Sequence, residues 1–131
     1  MLTPNFLNRD DVLLLHVDQI ESFGGTPGVR DEGLLDSALA QPKATFGGEL
    51  LHPTLAEQAA AYLYHLSRNH PFVDGNKRTA FAVMDTFLEA NCYSLTLSDN
   101  EAYDLVMRVA QGQVDKATLA AILTDALASQ P

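Results

Sequence analysis

Within NHPFVDGNKRTAF, residues 69–81, a histidine, a carboxylate and two cations fall close together: His70, Asp74, Lys77 and Arg78. The stretch separates two segments of helical periodicity, which puts Lys77 and Arg78 in the first turn of the second helix. A helix N-terminus carries roughly half a positive charge and disfavours cations there by about 0.3–1 kcal/mol each. Two cations set against that dipole, beside N–H groups that have no partner within the helix, describe a site for an anion, and phosphate is the usual one. Gly75 fits the same picture, because a residue without a side chain lets the backbone turn sharply and approach a phosphate closely. Asp74 would be repelled by phosphates unless a divalent cation lay between them, and Mg²⁺ is typically held by one or two carboxylates together with substrate phosphates. His70 can take a proton from an attacking hydroxyl, since histidine ordinarily titrates near neutrality. Phe72 is expected to pin the loop as a buried aromatic anchor.

Each of these residues also has a plainer account. Asp74-Gly75 can be a turn, Lys77 and Arg78 solvated charges, Phe72 core, and a histidine near a helix end structural. Their order and proximity favour the site. His65 lies five residues before His70 rather than the three or four that share a helix face, so a paired-histidine zinc site is not supported. His16 and His52 have no partner in the sequence and are taken as structural. A GxxxxGK[ST] phosphate loop is absent, and Gly24, Gly25 and Gly28 precede no helix of that kind.

The elements that must position this stretch follow from periodicity, caps and breakers. Asn8 or Asp10 caps a first helix running to about Phe23, with Val12, Leu13, Leu15, Val17 and Ile20 on its apolar side. GGTPGVR, 24–30, is a loop by its glycine and proline content. Asp31 caps a short helix that stops before Pro42. PKATFGGELLHP, 42–53, is expected as a loop or small flap whose Phe46, Leu50 and Leu51 are either tucked against the body, the preferred expectation, or offered to a partner. Thr54, with Glu57 three places on, opens a helix to about Asn69 whose buried stripe is Leu55, Ala59, Tyr62, Leu63 and Leu66. The next helix spans about 76–91, with Ala80, Val83, Met84, Phe87 and Leu88 inward. CYSLTLS, 92–98, could be extended but is too short to imply a sheet. Helices over about 99–111 and 115–128 close the chain. The expected fold class is all-α: a compact bundle of about six helices with a short flap, residues 1–131 forming a single domain.

Composition narrows the function. The chain has 131 residues, 47% of them hydrophobic and 19% charged, which suits a packed core and not intrinsic disorder. Seventeen acidic against eight basic residues give a net charge of −9, and so negative a body repels a nucleic-acid backbone. Three of the eight cations, Arg68, Lys77 and Arg78, cluster around the candidate site, so positive charge is local. A lone cysteine, Cys92, excludes an intramolecular disulfide and is expected to be a small buried hydrophobe. The N-terminus lacks the pattern of a secretory signal, and no apolar run nears the roughly 20 residues of a membrane span. A soluble, cytoplasmic chain is expected.

HPFVDGNKR, 70–78, resembles the signature of the Fic/Doc superfamily: HxFx, an acidic residue or Asn, Gly or Ala, Asn, Gly or Lys, then Arg. GGTPGVRD at 24–31, SALAQP at 37–42 and the overall length are similar to the Doc, or death-on-curing, branch over nearly the whole chain. The resemblance implies a compact helical bundle in which the motif links two central helices. It implies His70 as the base that activates a target hydroxyl, Phe72 as core anchor and Asp74 as metal ligand. Gly75, Asn76, Lys77 and Arg78 would form the phosphate cradle, with ATP and Mg²⁺ as cofactors.

Two features separate this chain from the Fic adenylyltransferases it also resembles. Lys77 stands where those read glycine, and Phe81 stands where a second arginine would grip the far phosphate. In Doc-like proteins the lysine accompanies a reversed nucleotide, which implies transfer of the γ-phosphate to a serine or threonine hydroxyl of a protein, by resemblance elongation factor Tu, with arrest of translation. The Asp74-Gly75 pair is closer to the Fic form, so transfer of AMP stays open as the alternative; a catalytically idle nucleotide- or partner-binding module is the second. The [ST]xxxE[GN] helix with which many Fic proteins restrain themselves is absent, and Doc-like toxins instead pair with a cognate antitoxin. Expected partners are therefore a protein substrate and an antitoxin, with no direct nucleic-acid contact and no membrane.

Overall fold

Five of the six α-helices among the described residues open on a side-chain cap. In the computed structural model, which describes residues 3–130, α1 runs Arg9–Phe23, and Asn8 closes a capping box with Asp11. Helix α2, Glu32–Ala40, starts where Asp31 accepts from the Leu34 N–H. A hairpin of β1, Thr45–Phe46, and β2, Glu49–Leu50, turns on Gly47-Gly48. Helices α3, Leu55–Asn69, and α4, Asn76–Ala90, come next. Strand β3, Tyr93–Leu95, leads to α5, Asp99–Ala110, capped by Ser98, and α6, Lys116–Ala126, capped by Asp115. Strand β4, Leu127–Ser129, closes the chain antiparallel to β3. Among the described residues the fold has six helices and two small strand pairs; the helices and the flap hairpin are as the sequence led one to expect, and the pairing of β3 with β4 is not.

Helix α3 is the hub, packed by α2, α4, α5 and α6. Its alanines 56, 59, 60 and 61 are all buried, and such small residues let neighbouring backbones approach on several sides at once. Tyr62, Leu63 and Leu66 complete its inward surface, meeting Val83, Met84, Phe87 and Leu88 of α4 and Leu119 and Leu123 of α6 in one continuous core. The buried Tyr62 hydroxyl donates to the Leu7 carbonyl and accepts from the Leu7 N–H, tying the N-terminal segment to the hub.

Four expectations are corrected. Val17 is 46% exposed: the inward row of α1 is Val12, His16 and Ile20, so the histidine holds the position between two aliphatics. Phe46 is 80% and Leu51 54% exposed, because the hairpin stands away from the body instead of tucking against it. Cys92 is exposed, in the turn that ends α4, with φ 68°. The last helix stops at Ala126, since residues 127–129 pair with 93–95.

On the side of α3 that faces α6, the Lys116 ammonium lies 3.1 Å from His65 Nε2. Burial, with Lys116 second, pushes His65 down to about 4 from the ordinary 6.5, and burial lowers His52 as well. Both folded values lie below the unfolded one, so this contribution is fully present above pH 6.5 and is lost as pH falls towards 4. Allowing for the half-exposed setting, the loss is on the order of 1 kcal/mol. Urea denaturation midpoints should fall over that window and fall less in His65→Gln; equal pH slopes in the two proteins would contradict this.

Candidate active site

The loop joining α3 to α4 is fixed before any ligand arrives. Pro71 forbids continuation of α3, and His70 closes the helix in the left-handed region, φ 48° and ψ 55°. Phe72 is 1% exposed and stacks on His16, ring centroids 3.9 Å apart and planes within 7°. His16 Nε2 lies 2.9 Å from the Asp74 carbonyl; a carbonyl only accepts, so that nitrogen carries the proton. Asn76 turns its side-chain amide back on Phe72, accepting from the N–H at 2.9 Å and donating to the carbonyl at 3.0 Å. His16 thus holds the Phe72 ring and the Asp74 carbonyl, and Asn76 the Phe72 backbone.

The 24–31 loop forms the second wall. Val29 pairs with Phe72 as an isolated antiparallel bridge, and the Val73 N–H donates to the Gly28 carbonyl at 3.0 Å. Asp74 receives the Thr26 N–H on Oδ2 and the Gly75 N–H on Oδ1, at 3.1 and 2.9 Å. These two bonds, Thr26 first, hold its exposed carboxyl below the usual range, so it stays ionised at any physiological pH. Gly25 makes the approach possible: it has φ 120°, and a Cβ there would lie 2.8 Å from Asp74 Oδ2.

Helix α4 opens with Gly75 at φ 71°, no side-chain cap and no acidic residue in its first turn. A Cβ on Gly75 would press on Arg78 and Ile20 at 3.2 Å, so the space next to the first turn depends on glycine. Arg78 donates to the Gly24 carbonyl at 2.9 Å, and its guanidinium carbon lies 5.7 Å from the Phe23 ring centroid. Lys77 is exposed, and so is His70. Phe81 is half-buried against the core.

The residues singled out from the sequence, His70, Asp74, Gly75, Asn76, Lys77 and Arg78, therefore occupy one turn at the junction of α3 and α4. Both polar atoms of the Asn76 amide are taken up by the Phe72 backbone; what Asn76 can offer an anion is its backbone N–H. Helix α1, by contrast, carries Leu14, Val17 and Phe23 exposed, and the hairpin carries Phe46.

The model of the Fic/DOC family matches residues 6–88, from before α1 into the last turn of α4, which includes every residue of the two loops. The chain belongs to the Fic/Doc family. Its similarity to the Doc branch extends further along the chain than that match. It is 46% identical over 120 residues to Toxin Doc of Mycolicibacterium smegmatis, covering 90% of each chain. It is 30% identical over 114 residues to Protein kinase doc of Escherichia phage P1, covering 87% of this chain and 89% of that one. Among the described residues, this Fic/Doc chain has no helix long and apolar enough to cross a membrane.

Sequence reasoning put this Fic/Doc loop between the two helices it joins, but it gave no role to Arg30 and took His16 as structural without saying what it touches. Arg30 stands in a glycine-rich loop remote in sequence, and His16 looked unpartnered because Phe72 and Asp74 lie more than 50 positions on. The one signal was the 24–31 stretch itself, whose similarity to Doc sequences marked it without saying what its residues touch.

Metal and nucleotide can be tested against this geometry. Among the described residues no three His, Cys, Asp or Glu side chains gather to form a protein-only metal site. Asp74 alone would contribute, as Mg²⁺ prefers when phosphates and water supply the other ligands. The uncapped first turn of α4, with Lys77 and Arg78 beside it, suits the phosphates. The donor set fits magnesium-bound polyphosphate.

Proposed function

We propose that this chain is a Doc-type toxin that transfers the γ-phosphate of ATP to a serine or threonine hydroxyl of a protein, with elongation factor Tu as the target that family resemblance implies and arrest of translation as the result. The observation that carries the reading is the α4 N-terminus: uncapped, free of acidic residues, flanked by Lys77 and Arg78, and adjoined by a carboxylate fixed on two backbone N–H groups. Bound Mg²⁺ would neutralise charge on the phosphates.

Catalysis by such a site is mainly positioning and charge stabilisation. Asp74 would hold the metal, and the N–H groups of Asn76, Lys77 and Arg78 would receive phosphate oxygens in the space that the absent Gly75 side chain leaves, with the Lys77 and Arg78 side chains adding charge. His70 accepts the proton of the target hydroxyl as its oxygen attacks the γ-phosphorus; the bond to the β–γ bridging oxygen breaks and ADP leaves. Phosphate transfer is favoured over AMP transfer because Phe81, packed against the core, offers no cation for a far phosphate. The name of the phage P1 relative, a protein kinase, supports the same choice. The Asp74-Gly75 pair is the one feature that favours AMP transfer.

The exposed hairpin, with Phe46 at its tip and backbone edges open, would hold an extended target segment by strand pairing. The exposed apolar residues of α1 suit a cognate antitoxin segment that folds on binding. The chain acts as one domain in a cytoplasmic setting, without nucleic-acid contact.

Intact mass of elongation factor Tu after incubation with the protein and MgATP tests the reaction. A gain of one phosphate is expected, and an AMP-sized gain would replace the proposal with adenylylation. Gly25→Ala provides a second check, because its methyl must displace the Asp74 carboxylate or distort the loop. Magnesium-dependent ATP affinity should fall about 10- to 100-fold, with little difference from wild type when magnesium is chelated. Calorimetry showing equal affinities in magnesium would remove Asp74 from metal binding.

A further inference from the structure

We infer that Arg30 is a positioning residue for His70, fixing the backbone from which the imidazole reaches the target hydroxyl; this rests on the reading of His70 as the base. The last carbonyls of a helix have no partner inside it. A helix that ends in a left-handed residue commonly satisfies them with N–H groups of the residues just beyond. Here the residue beyond His70 is Pro71, which has no N–H. The donors come instead from another segment.

Arg30 Nε donates to the His70 carbonyl at 2.7 Å and Nη2 to the Asn69 carbonyl at 3.0 Å. The Arg30 and Asp31 backbone N–H groups both donate to the Pro71 carbonyl, at 2.7 and 3.1 Å. Three successive carbonyls, 69, 70 and 71, are thus held from the 24–31 loop, two of them by one guanidinium fork. The cation also stands at the negative end of the α3 dipole. His70 is a non-glycine residue in the left-handed region, a conformation that persists only where its surroundings impose it. Arg30 is the side chain that does so.

Arg30 is itself exposed, so its truncation leaves no cavity, and it makes no hydrogen bond to Asp74 or to the first turn of α4. Loss of Arg30 should therefore slow proton abstraction without weakening nucleotide binding. A lysine has one donor head and cannot fork across two carbonyls, so it should restore only part of the function.

The test compares Arg30→Ala and Arg30→Lys with wild type in turnover, MgATP affinity, and the Cα and Cβ chemical shifts of His70, which report left-handed backbone. Arg30→Ala should lower kcat about 10- to 100-fold, the scale of a roughly 1 Å misplacement, keep the MgATP Kd within about twofold, and move the His70 shifts away from left-handed values. Arg30→Lys should lie between. Wild-type kcat in Arg30→Ala, unchanged His70 shifts, or a parallel loss of MgATP affinity would each overturn the inference. Absence of phosphate transfer by the wild-type protein would instead refute the kinase reading, and the His70 shifts alone would then decide the role of Arg30.

Discussion

His70→Ala should lower phosphate transfer about 100- to 10,000-fold, the usual span for removal of a positioned general base, while MgATP affinity stays close to wild type. The two effects separate because the phosphate-facing groups, the first turn of α4 and Asp74, make no hydrogen bond to the His70 side chain; among the described residues that side chain makes no hydrogen bond at all, and only its carbonyl is held, by Arg30. A defect confined to turnover, with binding intact, is what loss of a group acting only in the transition state produces. Growth arrest on expression should disappear with it. Undiminished arrest by the variant would favour a binding module that acts without chemistry.

Phe72→Ala should destabilise the fold by about 3–5 kcal/mol, as deletion of a fully buried aromatic does, a large share of the roughly 5–15 kcal/mol by which domains are stable. The cost has two parts. The first is the cavity left in the core beside His16, whose ring loses its stacking partner. The second is the loop: with Phe72 gone, the Asn76 amide and the Val29 bridge hold a backbone that no longer has a buried anchor. Urea denaturation measures the first. The second appears as weakened magnesium-dependent ATP binding at urea concentrations where the variant is still folded. Phe72→Leu keeps most of the buried volume and should cost much less; equal losses for leucine and alanine would show that packing is not what Phe72 supplies.

The candidate site was legible because its signal is local. His70, Asp74, Gly75, Lys77 and Arg78 stand within one loop and one helical turn, so residue type and spacing alone fix their proximity. The helices were legible for the same reason: Asp31 and Thr54 each cap the helix that begins at the next residue, and apolar residues recur at helical spacing in α3, α4 and α5. Misreadings arose where a residue's environment is set by a distant segment. His16 was taken as structural but without a partner; its partners are the Phe72 ring and the Asp74 carbonyl. Asn76 was read as part of a phosphate cradle, but its amide is turned inward onto the loop.

By itself the sequence determined the six helices, the position of the flap, the loop that gathers the candidate residues and the family to which the chain belongs, since caps, periodicity and a contiguous motif act over a few residues. The tertiary structure alone decided the rest. It brought Gly25 and Thr26 onto Asp74, set Arg30 against the end of α3, paired residues 93–95 with 127–129, and left Phe46 and Leu51 in solvent. Each of these depends on chain segments far apart in sequence meeting around a shared core, and the free energy that brings them together comes from burying the whole core, so no local pattern records it.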